Sequence, residues 1–311
     1  MRVFDAAQTA AALPFDQLIP ALRTRFTAGC VVPSRGVHEV VSPSGSVVTS
    51  LLMPAWVPGQ CYGVKVINIA PGNAARGLPG LHATYLLHDA DTGVPLALLD
   101  GNAITARRTA AASALATSML ARADAQHLLV LGAGRVASLL PAAYRCVRSI
   151  TRVSIWTRRP AQAEALVLQL RADGFDAHAV TDLPAAVAAA DITSCATLAT
   201  EPMVHGAWLQ PGSHLDLIGS FTPAMREADD ACFAGAALYL DTEEALVKSG
   251  ELLGPLARGV ITPASVRGTL TTLARGEVPG RASDDERTVF KAVGTALEDL
   301  AAAMLALHGS A

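Results

Sequence analysis

A glycine-rich loop follows an apolar run near the middle of the chain. The run His127–Leu131 (HLLVL) leads directly into the segment 132–137, which reads GAGRVA and fits the pattern G-x-G-x-x-A. The first glycine of that pattern permits a tight turn, the second lets the backbone approach a pyrophosphate, and the following helix directs its N-terminus at the phosphates. Because a second strand-like run ends at Thr157, the stretch has the length of one dinucleotide-binding βαβ unit. The contacts predicted from this loop are Gly132, Gly134, Arg135 and Val136.

The end of that second strand bears on which dinucleotide is bound. Enzymes that use NAD usually place an Asp or Glu here, where it bonds the ribose 2′-hydroxyl. This chain has Thr157, Arg158 and Arg159 instead, and two guanidinium groups can pair with a 2′-phosphate. We therefore predict that these three residues contact the cofactor, that NADP(H) is preferred and that NAD(H) can also be used. The alternative is that one of the two arginines is a solvated loop residue.

The elements around these residues change in character near residue 104. Before it, short β-branched runs such as 47–52 and 63–69 alternate with Pro-Gly turns, which predicts a sheet with mixed pairing. Thr105–Arg122 lacks Gly and Pro and is rich in Ala, so it is predicted as one long helix. Beyond it, apolar runs alternate with helical stretches, which predicts a parallel sheet with crossover helices. The predicted strands in this second part are 127–131, 152–157, 177–180, 192–196, 214–218 and 238–241. In the first part, a hairpin is predicted to join 85–89 to 95–99. The first and last predicted helices of the chain are 15–28 and 284–307.

Composition and charge argue against several classes of partner. Hydrophobic residues make up 51% of the chain and charged residues 16%, and the formal net charge is −3, so nothing favours nucleic acid or an anionic membrane. The cysteines are scattered singly, which favours reduced side chains and no metal site. The N-terminal MRVFD carries an acid where a signal peptide needs a basic and then an apolar run, and no apolar stretch is long enough for a membrane helix. We expect a cytoplasmic protein.

Several segments together resemble the ornithine cyclodeaminase/mu-crystallin family, and the resemblance extends over nearly the whole chain. The matching segments are 63–66 with 71–73, 89–95, 105–113, the glycine loop, and 280–281 with 290–294. The resemblance implies an α/β homodimer in which a mixed α+β domain binds substrate and dimerises, while a Rossmann NAD(P)-binding domain is inserted into it. The implied boundaries are 1–104 with 288–311 for the first domain, 105–122 for a connecting helix and 123–287 for the second domain.

The resemblance also implies how a substrate carboxylate is held. Family members use cationic side chains, and Lys65 and Arg108 occupy the matching positions, with Arg35 as a third member. A guanidinium and an ammonium group are well suited to fix the carboxylate of an amino or imino acid, so we predict Lys65 and Arg108 as the catalytic pair. Lys65 also interrupts an apolar run, where an unpaired charge is costly to bury. The alternative is a lysine on the wet side of an edge strand.

Four more residues are predicted at the site. His82 and Thr84 follow the strand that carries the lysine, and we expect them to line the substrate pocket or to act in proton transfer, although a lone histidine is more often structural. Thr197 ends a predicted strand and is expected beside the nicotinamide ribose. Ser220 is expected to contact the cofactor; Ser220 or Thr222 could also cap a helix that begins at Pro223, and both can be true together.

Phe221 is a departure from part of the family. Ornithine cyclodeaminases carry an aspartate in the corresponding I-G-x-D-x-P segment, and phenylalanine cannot accept a proton or steer a water or ammonium. The segment 219–227 (GSFTPAMRE) instead resembles the imine-reducing branch, which is similar to 1-pyrroline-2-carboxylate and 1-piperideine-2-carboxylate reductases. The resemblance thus implies NAD(P)H-dependent reduction of a cyclic imino acid to L-proline or L-pipecolate, by hydride transfer to the C=N carbon.

The sequence leaves alternatives to this activity open. They are an ornithine cyclodeaminase that releases ammonia, an amino-acid dehydrogenase similar to alanine dehydrogenase, and an NADP-dependent binding protein without turnover. The source of the proton that the imine nitrogen needs is open as well. Lys65, a water molecule, or protonation of the free imine in solution could each supply it.

Overall fold

The computed structural model describes residues 1–43 and 45–309. It divides into two compact units, residues 1–108 with the C-terminal segment from 295, and residues 109–294. In chain order the strands are β1 (Arg2–Phe4), β2 (Gly36–Val41), β3 (Val47–Val57), β4 (Cys61–Ile69), β5 (Leu81–Asp89), β6 (Pro95–Asp100), β7 (His127–Leu131), β8 (Arg152–Trp156), β9 (Asp176–Ala179), β10 (Ile192–Cys195), β11 (His214–Leu217), β12 (Ala237–Leu240), β13 (Val266–Thr269) and β14 (Thr288–Lys291). The α-helices are α1 (Ala6–Ala11), α2 (Phe15–Ala28), α3 (Gly101–Leu120), α4 (Leu140–Arg145), α5 (Pro160–Ala172), α6 (Leu183–Ala189), α7 (Ala245–Lys248), α8 (Gly250–Ala257), α9 (Leu270–Ala274) and α10 (Ala296–His308).

The sheet of the first unit has the order β1-β6-β5-β4-β3-β2, with β1 parallel to β6 and the other neighbours antiparallel. Alternate residues of β4 and β5 are buried, as the period of a strand requires when one face is covered. Helix α10 lies on that buried face across β3 to β6, and α2 packs against α10. The predicted helix 15–28 and the predicted mixed pairing are both confirmed.

The opposite face of the same sheet carries apolar side chains that keep part of their solvent exposure. They include Leu52, Trp56, Val64, Val66 and Leu86. Apolar side chains on both faces of a strand are usual when both faces are covered, whereas a solvated antiparallel face is normally polar. This half-exposed surface, which we call the open sheet face, is therefore suited to be covered by another protein surface.

All strands of the second unit are parallel and follow the order β13-β12-β14-β11-β10-β7-β8-β9. The chain winds from β7 outward through β8 to β9, then returns and continues on the other side through β10 and β11. This reversal next to β7 is the topological switch point at which doubly wound sheets bind dinucleotides, beyond the carboxyl ends of the strands. The predicted strands are confirmed to within a residue at each end, and the predicted α/β class with a Rossmann-type sheet is confirmed.

The predicted last helix, 284–307, is wrong over its first half. Strand β14 occupies Thr288–Lys291 and pairs with β11 on one side and β12 on the other, so these residues lie within the sheet of the second unit. Gly294 takes a positive φ of 79° and α10 begins only at Ala296. The run TVFK favours a strand because its β-branched and aromatic side chains fit a sheet. The first unit resumes at residue 295 rather than at the 288 that the family resemblance implied.

Two helices also differ from expectation. Helix α3 begins at Gly101, four residues before the predicted start at 105, because Asp100 caps it by accepting a hydrogen bond from the Ala103 amide (2.7 Å). The glycine loop is followed by a short 3₁₀ turn and then by α4, which has only six residues. Any phosphate at this loop would therefore depend on backbone N–H groups more than on a helix dipole. Among the described residues, none of the helices combines the length and apolarity needed to cross a bilayer.

Candidate functional site

Lys65 lies at the centre of the first sheet rather than at its edge. Strand β4 runs between β3 and β5, and Lys65 pairs with Met53 on one side and Tyr85 on the other. The side chain has no solvent exposure, so the alternative of a lysine on a wet edge is wrong. Its Nζ lies 2.6 Å from Oδ2 of Asp299 on α10. Within residues 1–43 and 45–309, this ammonium has no hydrogen bond of good geometry, so it keeps donor capacity for a further acceptor.

Arg108 meets the same helix. Its Nε donates to Oδ1 of Asp299 (2.9 Å) and its Nη1 to Oε2 of Glu298 (2.6 Å). Asp299 thus bridges the two cations that the sequence predicted as a pair. Arg107 points elsewhere and donates to the carbonyl of Leu13 (2.7 Å). We call Lys65, Arg108, Glu298 and Asp299 the ionic cluster.

Burial and mutual charge set the protonation of the ionic cluster. Burial lowers the pKa of Lys65 to about 8, although the nearby Asp299 carboxylate acts in the opposite direction. Burial alone would raise the pKa of Asp299, but its ion pairs with Lys65 and Arg108 outweigh this and hold that pKa below the ordinary value. Burial raises the pKa of Tyr85 well above the usual range, so this phenol is neutral. Lys65 is therefore more easily deprotonated than an exposed lysine, whereas Asp299 stays ionised.

The remaining predicted substrate residues lie at different places on the sheet. Arg35 immediately precedes β2, whose first residue pairs with Leu52, so it stands on the same row as Met53 and Lys65 but two strands from the lysine. His82 and Thr84 are exposed and alternate with the buried Tyr85 along β5. Because Tyr85 is the direct partner of Lys65, His82 and Thr84 point to the other face of the sheet. The structure thus brings Lys65 and Arg108 together but does not join His82 and Thr84 to them.

The glycine loop leaves β7 in the manner that the pattern requires. Gly132 has a φ of 119°, and a Cβ there would lie 2.7 Å from the carbonyl oxygen of Ala196. A Cβ on Gly134, in contrast, would meet nothing within 4 Å, so the backbone here borders open space. Arg135 is exposed and Val136 half-buried beside it. A pyrophosphate could approach the backbone at Gly134 without meeting a side chain.

The residues after β8 form a small turn. The hydroxyl of Thr157 donates to the carbonyl of Arg159 (2.6 Å) and accepts from the Arg159 amide (3.2 Å). Arg158 and Arg159 are both exposed, and in the described part of the chain neither makes an ion pair. Their guanidinium groups thus retain all their donors for an anion.

A buried glutamate that the sequence did not single out joins two loops at the carboxyl edge of the second sheet. Oε1 of Glu227 accepts from the amide and hydroxyl of Thr197 (2.8 Å each), and Oε2 accepts from the amide of Gly219 (2.7 Å). Thr197 follows β10 and Gly219 follows β11, so one carboxyl group fixes the ends of both strands. Burial raises the pKa of Glu227 to about 8. Glu251 in turn accepts hydrogen bonds from the amides of Glu227 and Ala228 (2.8 Å each).

Ser220 and Phe221 behave differently at this edge. The hydroxyl of Ser220 is buried, donates to the carbonyl of Met225 (2.6 Å) and lies 2.8 Å from the hydroxyl of Ser249. Its side chain is therefore engaged within the protein rather than offered to a ligand, and no helix begins at Pro223 for it to cap. Phe221 is 49% exposed, with no carboxylate in its place.

The acids of the ionic cluster had a signal in the sequence that could have been used. Glu298 and Asp299 are adjacent acids within α10, whose sequence is otherwise almost entirely apolar (ALEDLAAAMLALH). A buried acid in such a stretch implies a cation elsewhere, by the same argument that singled out Lys65. Arg108 lies about 190 residues away, however, so the pairing itself could not be inferred from spacing.

Comparison with known proteins identifies the family. The model of the ornithine cyclodeaminase/mu-crystallin family matches residues 18–308. The chain belongs to this family. It is 46% identical over 292 residues to a Delta(1)-pyrroline-2-carboxylate reductase of Paracoccus denitrificans, which covers 93% of this chain and 90% of the relative. A Colwellia psychrerythraea protein of the same name is 35% identical over 308 residues, covering 97% of each chain.

Solved structures with a similar fold match the whole chain. Thermococcus litoralis Delta(1)-pyrroline-2-carboxylate reductase, in complex with NADH and L-proline, has a TM-score of 0.92 at 30% identity and covers 100% of this chain and 97% of its own. An archaeal alanine dehydrogenase dimer with bound NAD has a TM-score of 0.91 at 27% identity and covers 100% of this chain and 96% of its own. The predicted family is confirmed, and the fold is shared between reductases and a dehydrogenase.

The ionic cluster yields a stability prediction. Asp299→Asn should lower the free energy of unfolding by about 3–5 kcal/mol, because it leaves two buried cations with too little negative charge. The double variant Lys65→Met with Asp299→Leu removes one charge of each sign. Its loss of unfolding free energy should therefore be clearly smaller than the sum of the losses for Lys65→Met alone and Asp299→Leu alone. Urea unfolding followed by circular dichroism measures both.

The control is Glu244→Gln, which breaks the partly exposed pair with Lys248 and should cost less than about 1 kcal/mol. Additive losses in the double variant would contradict the charge-balance account of the cluster.

Proposed function

We propose that the protein reduces a cyclic imino acid, 1-pyrroline-2-carboxylate or 1-piperideine-2-carboxylate or both, to L-proline or L-pipecolate with NAD(P)H. Relatives at 35–46% identity that bear the name Delta(1)-pyrroline-2-carboxylate reductase support this reaction. The observation that carries the proposal is the buried pair of Lys65 and Arg108, which supplies an ammonium and a guanidinium for one carboxylate. Hydride transfer to C=N is then the chemistry that a nicotinamide cofactor supplies.

Lys65 and Arg108 would act by orienting the substrate. The guanidinium of Arg108 can take both carboxylate oxygens, and the unused donors of Lys65 can take one of them from the side. Held in this way, the imine presents one face to the hydride, and fixing reactants in attack geometry removes a large entropic part of a barrier. Arg35 is proposed as a further substrate contact because it shares the row of Lys65. His82 and Thr84, which were also predicted as substrate contacts, lie on the opposite face of β5 and are not proposed to contact the carboxylate held by this pair.

The proposed cofactor is a nicotinamide dinucleotide. The open space beside Gly134 suits a pyrophosphate approached by backbone amides, and Gly132, Arg135 and Val136 would complete that loop. Thr197 would border the nicotinamide ribose, at the end of the strand that Glu227 fixes. Ser220 would take part through its backbone, since its hydroxyl is engaged. Relatives of known structure bind NADH or NAD, which supports the cofactor class.

Within that class we propose a preference for NADP(H), with NAD(H) as the weaker cofactor. The support is the exposed pair Arg158 and Arg159 after β8, together with the lack of an acid at Thr157. Two guanidinium groups can bind a 2′-phosphate, and this turn has no acid that would select the 2′-hydroxyl of NAD.

Reduction of an acyclic imine is the second candidate. The archaeal alanine dehydrogenase and an iminosuccinate reductase of Paracoccus denitrificans, at a TM-score of 0.89 and 26% identity, share the whole fold. Ornithine cyclisation is disfavoured because Phe221 offers no carboxylate. The experiment below separates these activities.

The test of function is a cofactor-oxidation assay with three substrates: a cyclic imino acid, pyruvate with ammonium, and ornithine. We expect NAD(P)H oxidation with the cyclic imino acid and neither substantial oxidation with pyruvate nor ammonia release from ornithine. Arg108→Lys keeps the charge but not the planar fork, so kcat/KM should fall on the order of 100-fold. The control Arg76→Lys changes an exposed arginine of the same unit and should leave turnover unchanged. Turnover with pyruvate and ammonium alone would instead establish the dehydrogenase.

Cofactor preference is tested with Arg158→Ala and Arg159→Ala. Loss of a charge-assisted contact to the 2′-phosphate should raise the KM for NADPH roughly 10- to 100-fold in the double variant and leave that for NADH nearly unchanged. Arg152→Ala, at the opposite end of β8, is the matched control. Equal changes for the two cofactors would rule out a role in choosing between them.

We also propose that the protein is a homodimer of the cytoplasm. The open sheet face supports dimerisation, and the relative of known structure that is described as a dimer has the same fold. Free cysteines throughout the described chain are consistent with a reducing compartment. Leu86→Glu on this face should shift the mass measured by light scattering toward the monomer, whereas Leu168→Glu, on an exposed helix position, should not. A mass unaffected by Leu86→Glu would count against this interface.

A further inference from the structure

Three loops meet at the carboxyl edge of the second sheet. They follow β7 and β10, which flank the topological switch point, and β11, which pairs with β10. A Cβ on Gly132, after β7, would lie 2.7 Å from the carbonyl oxygen of Ala196, and a Cβ on Gly219, after β11, would overlap the carbonyl oxygen of Thr197. The loop after β10 is therefore packed between the other two, with no room for a side chain at either contact.

The carboxyl group of Glu227 joins two of these loops. It accepts hydrogen bonds from the amide and the hydroxyl of Thr197 (2.8 Å each) and from the amide of Gly219 (2.7 Å). An ionised carboxyl group is an acceptor only, and three donors directed at it match that state. Because the side chain of Glu227 has no solvent exposure, both loops are fixed to a point inside the protein.

Glu227 is held in turn by the start of α8. The carboxyl group of Glu251 accepts from the amides of Glu227 and Ala228 (2.8 Å each), so the backbone that carries the Glu227 side chain is fixed as well. A Cβ on Gly250 would overlap the carbonyl oxygen of Pro223, which places α8 in close contact with the loop after β11. This loop is therefore fixed on one side by Glu227 and on the other by α8.

The outer sides of the same loops carry large apolar side chains in contact with water. Leu198, next to Thr197, is 73% exposed, and Phe221, two residues after Gly219, is 49% exposed. Gly134 of the neighbouring glycine loop is exposed and borders open space. Apolar side chains that a buried polar network fixes beside a phosphate-binding loop are suited to contact the flat face of a ring.

We propose that Glu227 is a positioning residue for the nicotinamide half of the cofactor, because it fixes the loops after β10 and β11 so that the ring lies against Leu198 and Phe221. The inference rests on the proposed cofactor and names the group that shapes the binding site of its reactive ring. Glu227 acts through these loops and contacts neither cofactor nor substrate.

The adenine half of the cofactor provides an internal reference. Its proposed contacts follow β8, which lies on the far side of β7 from β10 and β11. The turn after β8 is closed by its own hydrogen bonds between Thr157 and Arg159. A change at Glu227 should therefore leave binding of the adenine half unaltered, whereas a general defect of the second unit weakens binding of both halves.

Glu227→Gln tests the inference with a side chain of nearly the same shape. Burial raises the pKa of Glu227 to about 8 although the Lys291 ammonium acts in the opposite direction, so titrations are made at about pH 9, where the carboxyl group is ionised. The glutamine NH₂ group sets a donor against the donors of Thr197 or Gly219. We expect the dissociation constant of the cofactor to rise at least about 10-fold and that of its adenine half to change less than about 2-fold.

The cofactor and its adenine half are compared by titration calorimetry. NADPH is paired with adenosine 2′,5′-bisphosphate and NADH with ADP, so the result does not depend on which dinucleotide is preferred. At saturation with the reduced cofactor, the fluorescence enhancement of the nicotinamide ring should be smaller in the variant, because the ring is held less firmly. Glu164→Gln, an exposed position on α5, is the control and should change none of these values.

Thr197→Val provides a milder change if Glu227→Gln does not fold. It keeps the size of the side chain and removes one of the three donors to Glu227, so the dissociation constant of the cofactor should rise about 5-fold and that of the adenine half should not. The hydroxyl of Thr197 also accepts from the amide of Ala199 (3.2 Å), so it is engaged within the protein. Thr197→Ser restores the hydroxyl and should recover most of the affinity that Thr197→Val loses.

Equal weakening of the cofactor and its adenine half in a folded Glu227→Gln variant would overturn the inference, as would unchanged binding of both. Where only the Thr197 variants fold, equal affinity of Thr197→Val and the unmodified protein for the cofactor has the same consequence. A protein that turns over with a nicotinamide cofactor but fails this comparison keeps its proposed function and loses only the role of Glu227. A protein that binds no nicotinamide cofactor loses the function itself.

Discussion

Two cations buried between a sheet and a helix depend on Asp299 for their place in the first unit. Without that carboxylate, Lys65 at the centre of β4 would be a charge in an apolar interior, and Arg108 on α3 would lose one of its two ion pairs with α10. The cost of burying such a charge without a partner is several kcal/mol, which is comparable to the net stability of a whole domain. Asp299 therefore ties α10 to both cations at once.

The second unit uses the same device with the signs exchanged. Glu227 and Glu251 are buried acids, and Lys291 on β14 is the buried cation whose charge most offsets the effect of burial on their pKa values. The Lys291 ammonium also donates to the carbonyl of Leu217 (2.9 Å), at the end of β11. Here the carboxyl groups are used to hold backbone amides, so that the loops after β10 and β11 keep one conformation. In both units a buried charge network holds neighbouring side chains or loops in one conformation, and the desolvation cost of the network is offset by these contacts.

Local sequence patterns were sufficient for much of the fold. Strand β7, the glycine loop and the strands of the second sheet are contiguous apolar runs bounded by turn residues, and their parallel arrangement follows from alternation with helices. Strand β14 was not predicted because its four residues directly precede a long helical stretch in the sequence. They form a strand only through pairing with β11 and β12, which are more than 45 residues away in sequence. The pair Lys65 and Arg108 was found, but its acids were not, since the contact of Arg108 with α10 joins distant parts of the chain. The face on which His82 and Thr84 lie depends on register with β4, which no single strand specifies.

The first unit is discontinuous, and this has a consequence for biosynthesis. Its strands are all made before residue 101, whereas α10, which covers their buried face and carries Glu298 and Asp299, is made after the second unit is complete in sequence. Because domains tend to fold as they leave the ribosome, and the second unit is continuous in sequence, that unit can fold before the first unit is complete. The sheet of the first unit is synthesised earlier, but Lys65 and Arg108 stay hydrated until α10 emerges and covers it. The ionic cluster thus forms only after α10 has been made, and its charges lose their hydration at that stage.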